Sequence, residues 1–191
     1  MSAARQFVLL SVQEYLETER NSPVKHEYLG GVVYAMSGAR NVHNLVATNI
    51  SAALWSQLRG QPCRTFNSDT KIRIRLPGQT RFYYPDASVV CRPNPPQEVY
   101  QDEPAVIVEV LSESTRRTDL GEKKDAYLSI PSLAVYLLVE TSTPALVAFR
   151  RTDHGFVREV WEGLDATLPL PEIKVELPLT EIYDGVEFLE D

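Results

Sequence analysis

Apolar positions along the chain switch between a helical and a two-residue period, and the switches mark the elements. Ser11-x-x-Glu14 has the form of a capping box, and Val12, Tyr15 and Leu16 make a short apolar stripe that stops near Asn21-Ser22-Pro23. That predicts a first helix. Lys25–Leu29 and Val32–Met36 flank Gly30-Gly31, a pair that supplies the positive φ angles of a two-residue hairpin turn. Val46, Ile50, Ala53, Leu54 and Leu58 recur at helical spacing, which predicts the main amphipathic helix over about Val42–Arg59, with Gly60 as its stop. From Cys63 the period drops to two: Asn67, Asp69, Lys71, Arg73 and Arg75 share one expected wet face, and Ser68, Thr70, Ile72, Ile74 and Leu76 the other. Beyond the Pro77-Gly78 turn, Phe82–Cys91 reads as the next strand, with Pro85-Asp86 inside it. A Pro-rich loop over Arg92–Pro104 leads to a strand at Ala105–Leu111. The polar Ser112–Thr118 stretch opens a helix carrying Ala126, Tyr127 and Leu128, closed at Ile130-Pro131. Ala134–Glu140 is a further apolar strand, and Ala145–Arg150 with Phe156–Trp161 forms an antiparallel pair around Asp153-His154-Gly155. The Leu168–Asp191 tail is Pro-rich and acidic, with a last helical turn at Leu179–Tyr183. This order predicts an α/β (mixed α+β) architecture, a central mixed sheet flanked by helices, with a crossover from Ala105 to Glu140 that makes a parallel strand pair.

Composition narrows the class. The 191 residues, 43% hydrophobic and 24% charged, suit one domain over 1–191 with a real core. No apolar stretch is long enough to cross a bilayer, and Met1–Gln6 lacks the apolar core of a signal peptide, so a cytoplasmic protein with no membrane partner is expected. Two cysteines, Cys63 and Cys91, make a disulfide framework unexpected and read as small core residues, and three histidines provide no Cys/His zinc spacing. A net charge of −7 argues against indiscriminate nucleic-acid binding; such a role needs a local basic surface or an added cation.

The added cation is where the sequence carries chemistry. Glu109 stands alone in Pro104-Ala-Val-Ile-Val-Glu-Val-Leu111, and a buried carboxylate costs several kcal/mol unless it is compensated. On a strand, Ala105, Ile107, Glu109 and Leu111 share a face, and Asp86 on a neighbouring strand comes within roughly 5 Å of Glu109. Two carboxylates that close either share a proton or hold a divalent cation, and hard oxygen ligands favour Mg²⁺ or Mn²⁺ over zinc. The competing reading places Glu109 at a sheet edge, paired with an arginine. Lys123 and Lys124 lie on the next helix, where one ammonium can reach the carboxylates. Against that stands an ordinary Asp119–Lys123 helix-surface pair, worth about 0.3 kcal/mol, which the spacing alone favours. His43 and Asn44, at the start of the long helix, read as capping or surface residues, and Trp55 and Trp161 as packing.

Pro85-Asp86, Glu109-Val-Leu111 and Lys123 together resemble the PD-(D/E)XK nuclease superfamily. More narrowly, His26–Met36, Tyr84-Pro85-Asp86, Val108–Ser112, Thr115-Arg116-Arg117, Asp119, Gly121-Glu122-Lys123 and Tyr127 are similar, in order and over about two-thirds of the chain, to the Uma-type family of restriction-endonuclease-like proteins. The resemblance implies a restriction-endonuclease-like core and a Mg²⁺ (or Mn²⁺) site made by Asp86 and Glu109, aided by the Val110 carbonyl. It also implies a catalytic lysine at Lys123, with Lys124 as rival. The superfamily's usual lysine position, two after the glutamate, is Leu111 here. By the same similarity Glu27 is a third ligand or orients a water, its alternative being an exposed strand residue. Lys71 and Arg73, and Arg116 and Arg117 after the Glu109 strand, are candidates for phosphate contacts; simple solvation is the rival reading for each. The implied activity is Mg²⁺-dependent hydrolysis of DNA phosphodiester bonds, and a homodimer is expected because cutting both strands of a duplex is simplest with two sites related by a two-fold axis. The alternatives are a catalytically inactive nucleic-acid- or protein-binding domain of the same fold, and a hydrolase of another phosphate ester.

Overall fold

The computed structural model describes residues 9–188. The Met1–Gln6 stretch and the end of the acidic tail lie outside them. Helix α1 (Val12–Arg20) begins at the predicted capping box, with Ser11 and Glu14 bonded reciprocally. The hairpin β1 (His26–Leu29) and β2 (Val32–Ala35) turns at Gly30-Gly31, whose φ angles are +58° and +108°. Helix α2 (Asn41–Leu58) follows and buries the predicted stripe.

The two long strands read from Cys63 to Cys91 are each broken in two. Asn67 ends β3 (Arg64–Asn67): its side-chain oxygen accepts the Asp69 N–H and its carbonyl the Thr70 N–H, an Asx-type turn, before β4 (Lys71–Leu76) begins. The alternation carried through a turn that lies between different sheets. Likewise β5 (Gln79–Tyr83) and β6 (Ala87–Val90) are separated by Tyr84-Pro85-Asp86, because proline has no N–H for the ladder. Nor is the Lys71–Arg75 face uniformly wet: Lys71 is buried beneath Tyr84. Short β7 (Tyr100–Gln101) sits in the Pro-rich loop, followed by β8 (Pro104–Val110), α3 (Arg116–Leu120), α4 (Glu122–Leu128) and β9 (Val135–Val139). The hairpin β10 (Ala145–Thr152) and β11 (Gly155–Glu162) comes next. The tail forms a second hairpin, β12 (Thr167–Leu170) and β13 (Val175–Pro178), which was not expected, and the predicted final turn α5 (Leu179–Ile182).

Strands β2-β1-β5-β4-β7 form one sheet, and β11-β10-β9-β8-β6-β3 a second. The crossover from β8 through α3 and α4 to β9 gives the expected parallel pair, and β6 lies antiparallel on the other side of β8. β8 is therefore interior, which removes the sheet-edge reading of Glu109. One face of the six-stranded sheet (Val89, Val106, Val108, Val110, Leu137) packs under α2, β12–β13 and α5. The other (Ile107, Leu111, Tyr136, Leu138) meets α4 and the five-stranded sheet through Ala126, Tyr127, Ile72 and Tyr83. Tyr15 of α1 covers the far side of the five-stranded sheet against Tyr28 and Phe82.

Cys63 and Cys91 pack against the core, as read, but they do so as a disulfide, which was not expected. Arg64 opposes Val90 in the β3–β6 register, so the residues just outside that pair face one another. Their sequence separation of 28 gave no local sign of it. Among the described residues no helix is long and apolar enough to cross a membrane.

Candidate active site

Asp86 stands where the chain leaves the five-stranded sheet for the six-stranded one. Two groups converge on one oxygen of this carboxylate: the Val110 N–H donates to Oδ2 at 2.7 Å, and His43 Nε2 makes a 3.3 Å ion-pair contact with the same atom. Ala87 pairs with Val108, so the residue preceding β6 arrives beside Glu109. Glu109 points from β8 into the layer between the sheets and is 4% exposed. Its Oε1 accepts hydrogen bonds from the Tyr127 hydroxyl at 3.1 Å and Lys123 Nζ at 3.4 Å. The ring of Tyr127 is held edge-on by Tyr83 and tilted against Tyr136.

Lys123 is the hub. It is 6% exposed, and its ammonium lies 2.9 Å from Glu27 Oε1, 3.4 Å from Glu109 Oε1 and 3.5 Å from Asp119 Oδ1. β1, β8, α3 and α4 thus each aim one charged side chain at a single point. The Asp119–Lys123 pair is not the surface pair that its spacing suggested, because Asp119 is buried. Lys124 turns away, toward Asp125 and the Phe149 ring. Glu27 is mostly enclosed rather than an exposed strand residue.

The charges do not balance. Glu27, Glu109 and Asp119 surround one lysine, Asp86 adds its charge beside Glu109, and Glu27 Oε1 and Asp119 Oδ1, although close to Nζ, receive no aligned hydrogen bond among the described residues. Burial drives the Glu109 pKa well up; Lys123 opposes this, while Asp119, Asp86 and Glu27 add to it. Burial also raises Asp119, against the pull of Lys123. For Lys123 burial works downward, but Glu109, Glu27 and Asp119 outweigh it and keep the ammonium charged. His43, which burial would lower, is held above its ordinary value by Asp86 and by the Val110 backbone.

The donor set suits a hard divalent cation. Asp86 Oδ1 and Glu109 Oε2 meet no donor among the described residues, and excess buried negative charge surrounds them. Among those residues, no three His, Cys, Asp or Glu side chains converge closely enough to enclose a metal alone. That arrangement fits Mg²⁺, which binds through one or two carboxylates and completes its shell with water and substrate phosphate.

The basic candidates divide. Lys71 and Arg73 lie on the other side of the five-stranded sheet from Glu27; Lys71 donates to the Tyr84 hydroxyl, and Arg73 forms a two-pronged pair with Asp102 at 2.7 Å. Asp69 pairs with Lys25. Arg116 pairs with Glu140, and Arg117 is exposed just after β8. His43, expected to cap or to face solvent, is mostly buried against Asp86. The signal for it was its place three residues before Val46, at the head of the buried stripe; that for Asp119 was its four-residue spacing from Lys123.

Comparison with known proteins supplies the context. The family described as "Uma2: Putative restriction endonuclease" matches residues 12–180. A Synechocystis protein, uncharacterized slr1290, is 32% identical over 188 residues, 98% of each chain. A second, uncharacterized sll1609, is 29% identical over 135 residues, 69% of this chain and 75% of its own. The fold is shared with the crystal structure of "a putative nuclease belonging to DUF820" from Anabaena variabilis, with a TM-score of 0.72 at 16% identity, covering 93% of this chain and 99% of the other.

Proposed function

The chain belongs to the Uma2 family of restriction-endonuclease-like proteins, and from that premise we propose that it is a divalent-cation-dependent endonuclease hydrolysing DNA phosphodiester bonds. One observation carries the reading: Asp86, Glu109 and Lys123 meet at the junction of the two sheets with more buried negative charge than Lys123 neutralises.

Asp86 and Glu109 are the proposed cation ligands, with Glu27 beside them either as a third ligand or as a base that orients a water. Bound Mg²⁺ or Mn²⁺ supplies Lewis-acid polarisation of the phosphate and a more acidic water. The chain's own groups do the rest. Lys123, kept protonated by its three carboxylates, offsets charge that develops on the phosphate and fixes Glu109. Tyr127 pins Glu109 Oε1 and leaves Oε2 as the oxygen that would hold the cation. Arg116 and Arg117, following β8, contact the flanking phosphates, and Lys71 and Arg73 support the fold on the sheet's other side. Cutting a duplex calls for two such sites, which a two-fold homodimer provides.

A binding domain without turnover is the second reading, favoured by Leu111 at the usual lysine position and by the lack of a closed three-ligand cluster among the described residues. A nuclease assay on single- and double-stranded DNA with Mg²⁺, Mn²⁺ or EDTA separates the two. Cleavage that EDTA stops and that Asp86→Asn, Glu109→Gln and Lys123→Met each abolish supports the enzyme. Cleavage by folded Glu109→Gln at the wild-type rate refutes the mechanism.

A further inference from the structure

Helix α2 buries Val46, Ile50, Ala53, Leu54 and Leu58 beneath the six-stranded sheet, and His43 stands at the head of that stripe. An imidazole at such a position has little packing value unless it meets a polar partner, and it meets Asp86 Oδ2 at 3.3 Å. That oxygen already accepts the Val110 N–H at 2.7 Å. The χ2 torsion of an aspartate is broad and roughly two-fold, so a single hydrogen bond leaves its two oxygens free to exchange. The Val110 N–H on β8, by a hydrogen bond, and the His43 imidazole on α2, by a 3.3 Å charge contact, hold the same oxygen from different elements and restrict that rotation.

We infer that His43 is a positioning residue of the cation site: with the Val110 N–H it clamps Asp86 Oδ2 and thereby presents Oδ1 to the divalent cation. This rests on the proposed metal-dependent reading and adds the group that selects the ligating oxygen. A ligand whose second oxygen is held this way loses about 10- to 100-fold in metal affinity when the holding group is removed. His43 Nδ1 is buried without a hydrogen-bond partner among the described residues, so the competing role is direct ligation by the imidazole.

The test uses two variants of similar bulk, His43→Gln, which keeps a donor near the position of Nε2, and His43→Met, which does not. Mn²⁺ is titrated calorimetrically into the full chain, beside wild type and Asp86→Asn, with circular dichroism confirming each fold. The expected result is a Kd weakened at least about tenfold in His43→Met and within about threefold of wild type in His43→Gln. Wild-type affinity in His43→Met overturns the clamp. Equal weakening in both variants overturns it too, since a direct imidazole ligand is lost in either. Absence of Mn²⁺ binding by wild type itself overturns the metal site and the clamp together, an outcome distinct from the other two. Should His43→Met not fold, His43→Gln still tests the clamp, because a Kd weakened beyond about threefold in that variant overturns it.

Discussion

Glu109→Gln should stabilise the cation-free protein while it ends catalysis. Glu109 is buried among Glu27, Asp119 and Asp86, with one lysine among them, so its ionised form is costly to the fold. Glutamine keeps the oxygen that accepts from Tyr127 and Lys123 and removes the charge. Leaving a buried polar group poorly compensated costs about 1–3 kcal/mol, and Lys123 offsets part of that, so the gain is about 1–2 kcal/mol, or roughly 3–6 °C in Tm for a chain of this size. The sign follows from linkage. A carboxyl whose folded pKa lies above its unfolded value contributes stability that is fully present below about 4.5 and lost as pH rises through the folded pKa. The gain should therefore be larger at about pH 8 than at about pH 5, with Asp119, also raised, leaving a residual pH dependence. Lys123→Met should move the other way, by about 3–5 kcal/mol, because it strands three carboxylates. Thermal unfolding followed by circular dichroism in EDTA at both pH values reads all of this. A Glu109→Gln protein that melts below wild type at the higher pH would refute the charge imbalance, as would a gain independent of pH.

Three further outcomes follow from the packing around the site. Tyr127→Phe removes the hydroxyl that donates to Glu109 and should cost about 1 kcal/mol, falling toward zero in a Glu109→Gln background if the two groups are coupled; a double-mutant cycle in chemical denaturant measures it. Cys63→Ser, or reduction of wild type, should cost about 3–4 kcal/mol from the 28-residue separation, and identical melting curves with and without a dithiol reductant would show that the bond contributes nothing. Burial pushes the Asp102 carboxyl up, but Arg73 and Asn94 more than reverse this; its depressed pKa gives stability present above about 3.8 and lost as pH falls through the folded value. Arg73→Met should flatten that part of the acid-unfolding curve and lower stability at neutral pH by about 2 kcal/mol.

Elements whose period matched one sheet or one helix face were legible: α1, the β1–β2 hairpin, α2, β8 and β9 fall within a residue or two of their predicted ranges. Errors arose where the chain changes sheet. Both Asn67–Thr70 and Tyr84–Asp86 continue an alternation that the backbone abandons, and side-chain polarity alone does not record the change of partner. The β12–β13 hairpin was hidden because Pro169, Pro171 and Pro178 read as loop, although Leu168, Leu170, Val175 and Leu177 alternate correctly. For the site, the carboxylate pair was legible because one charge in an apolar run demands a partner, whereas Lys123 followed from the family resemblance, its spacing alone favouring a surface pair with Asp119. His43 and Asp119 were not, because each had a cheaper surface role at the same spacing. Only the approach of α2 to Asp86, and of α3 to Lys123, rules that role out.

The position of the ammonium explains the departure from the superfamily pattern. Glu109 and Leu111 share a face of β8, about 6.6 Å apart along the strand. Leu111 is packed among Ala126, Tyr127 and Leu138, and a lysine there would place its charge in the apolar cluster that seats α4 on the sheet. Supplying the ammonium from Lys123 inverts the arrangement: Ala126 and Tyr127 fill the apolar space, and the preceding turn of the same helix carries the charge to Glu109, Glu27 and Asp119. The carboxylates then come from both sheets and the cation from the helix between them. The site exists only when the five-stranded sheet, α4 and the six-stranded sheet are docked together, which ties the proposed chemistry to the tertiary packing rather than to one strand.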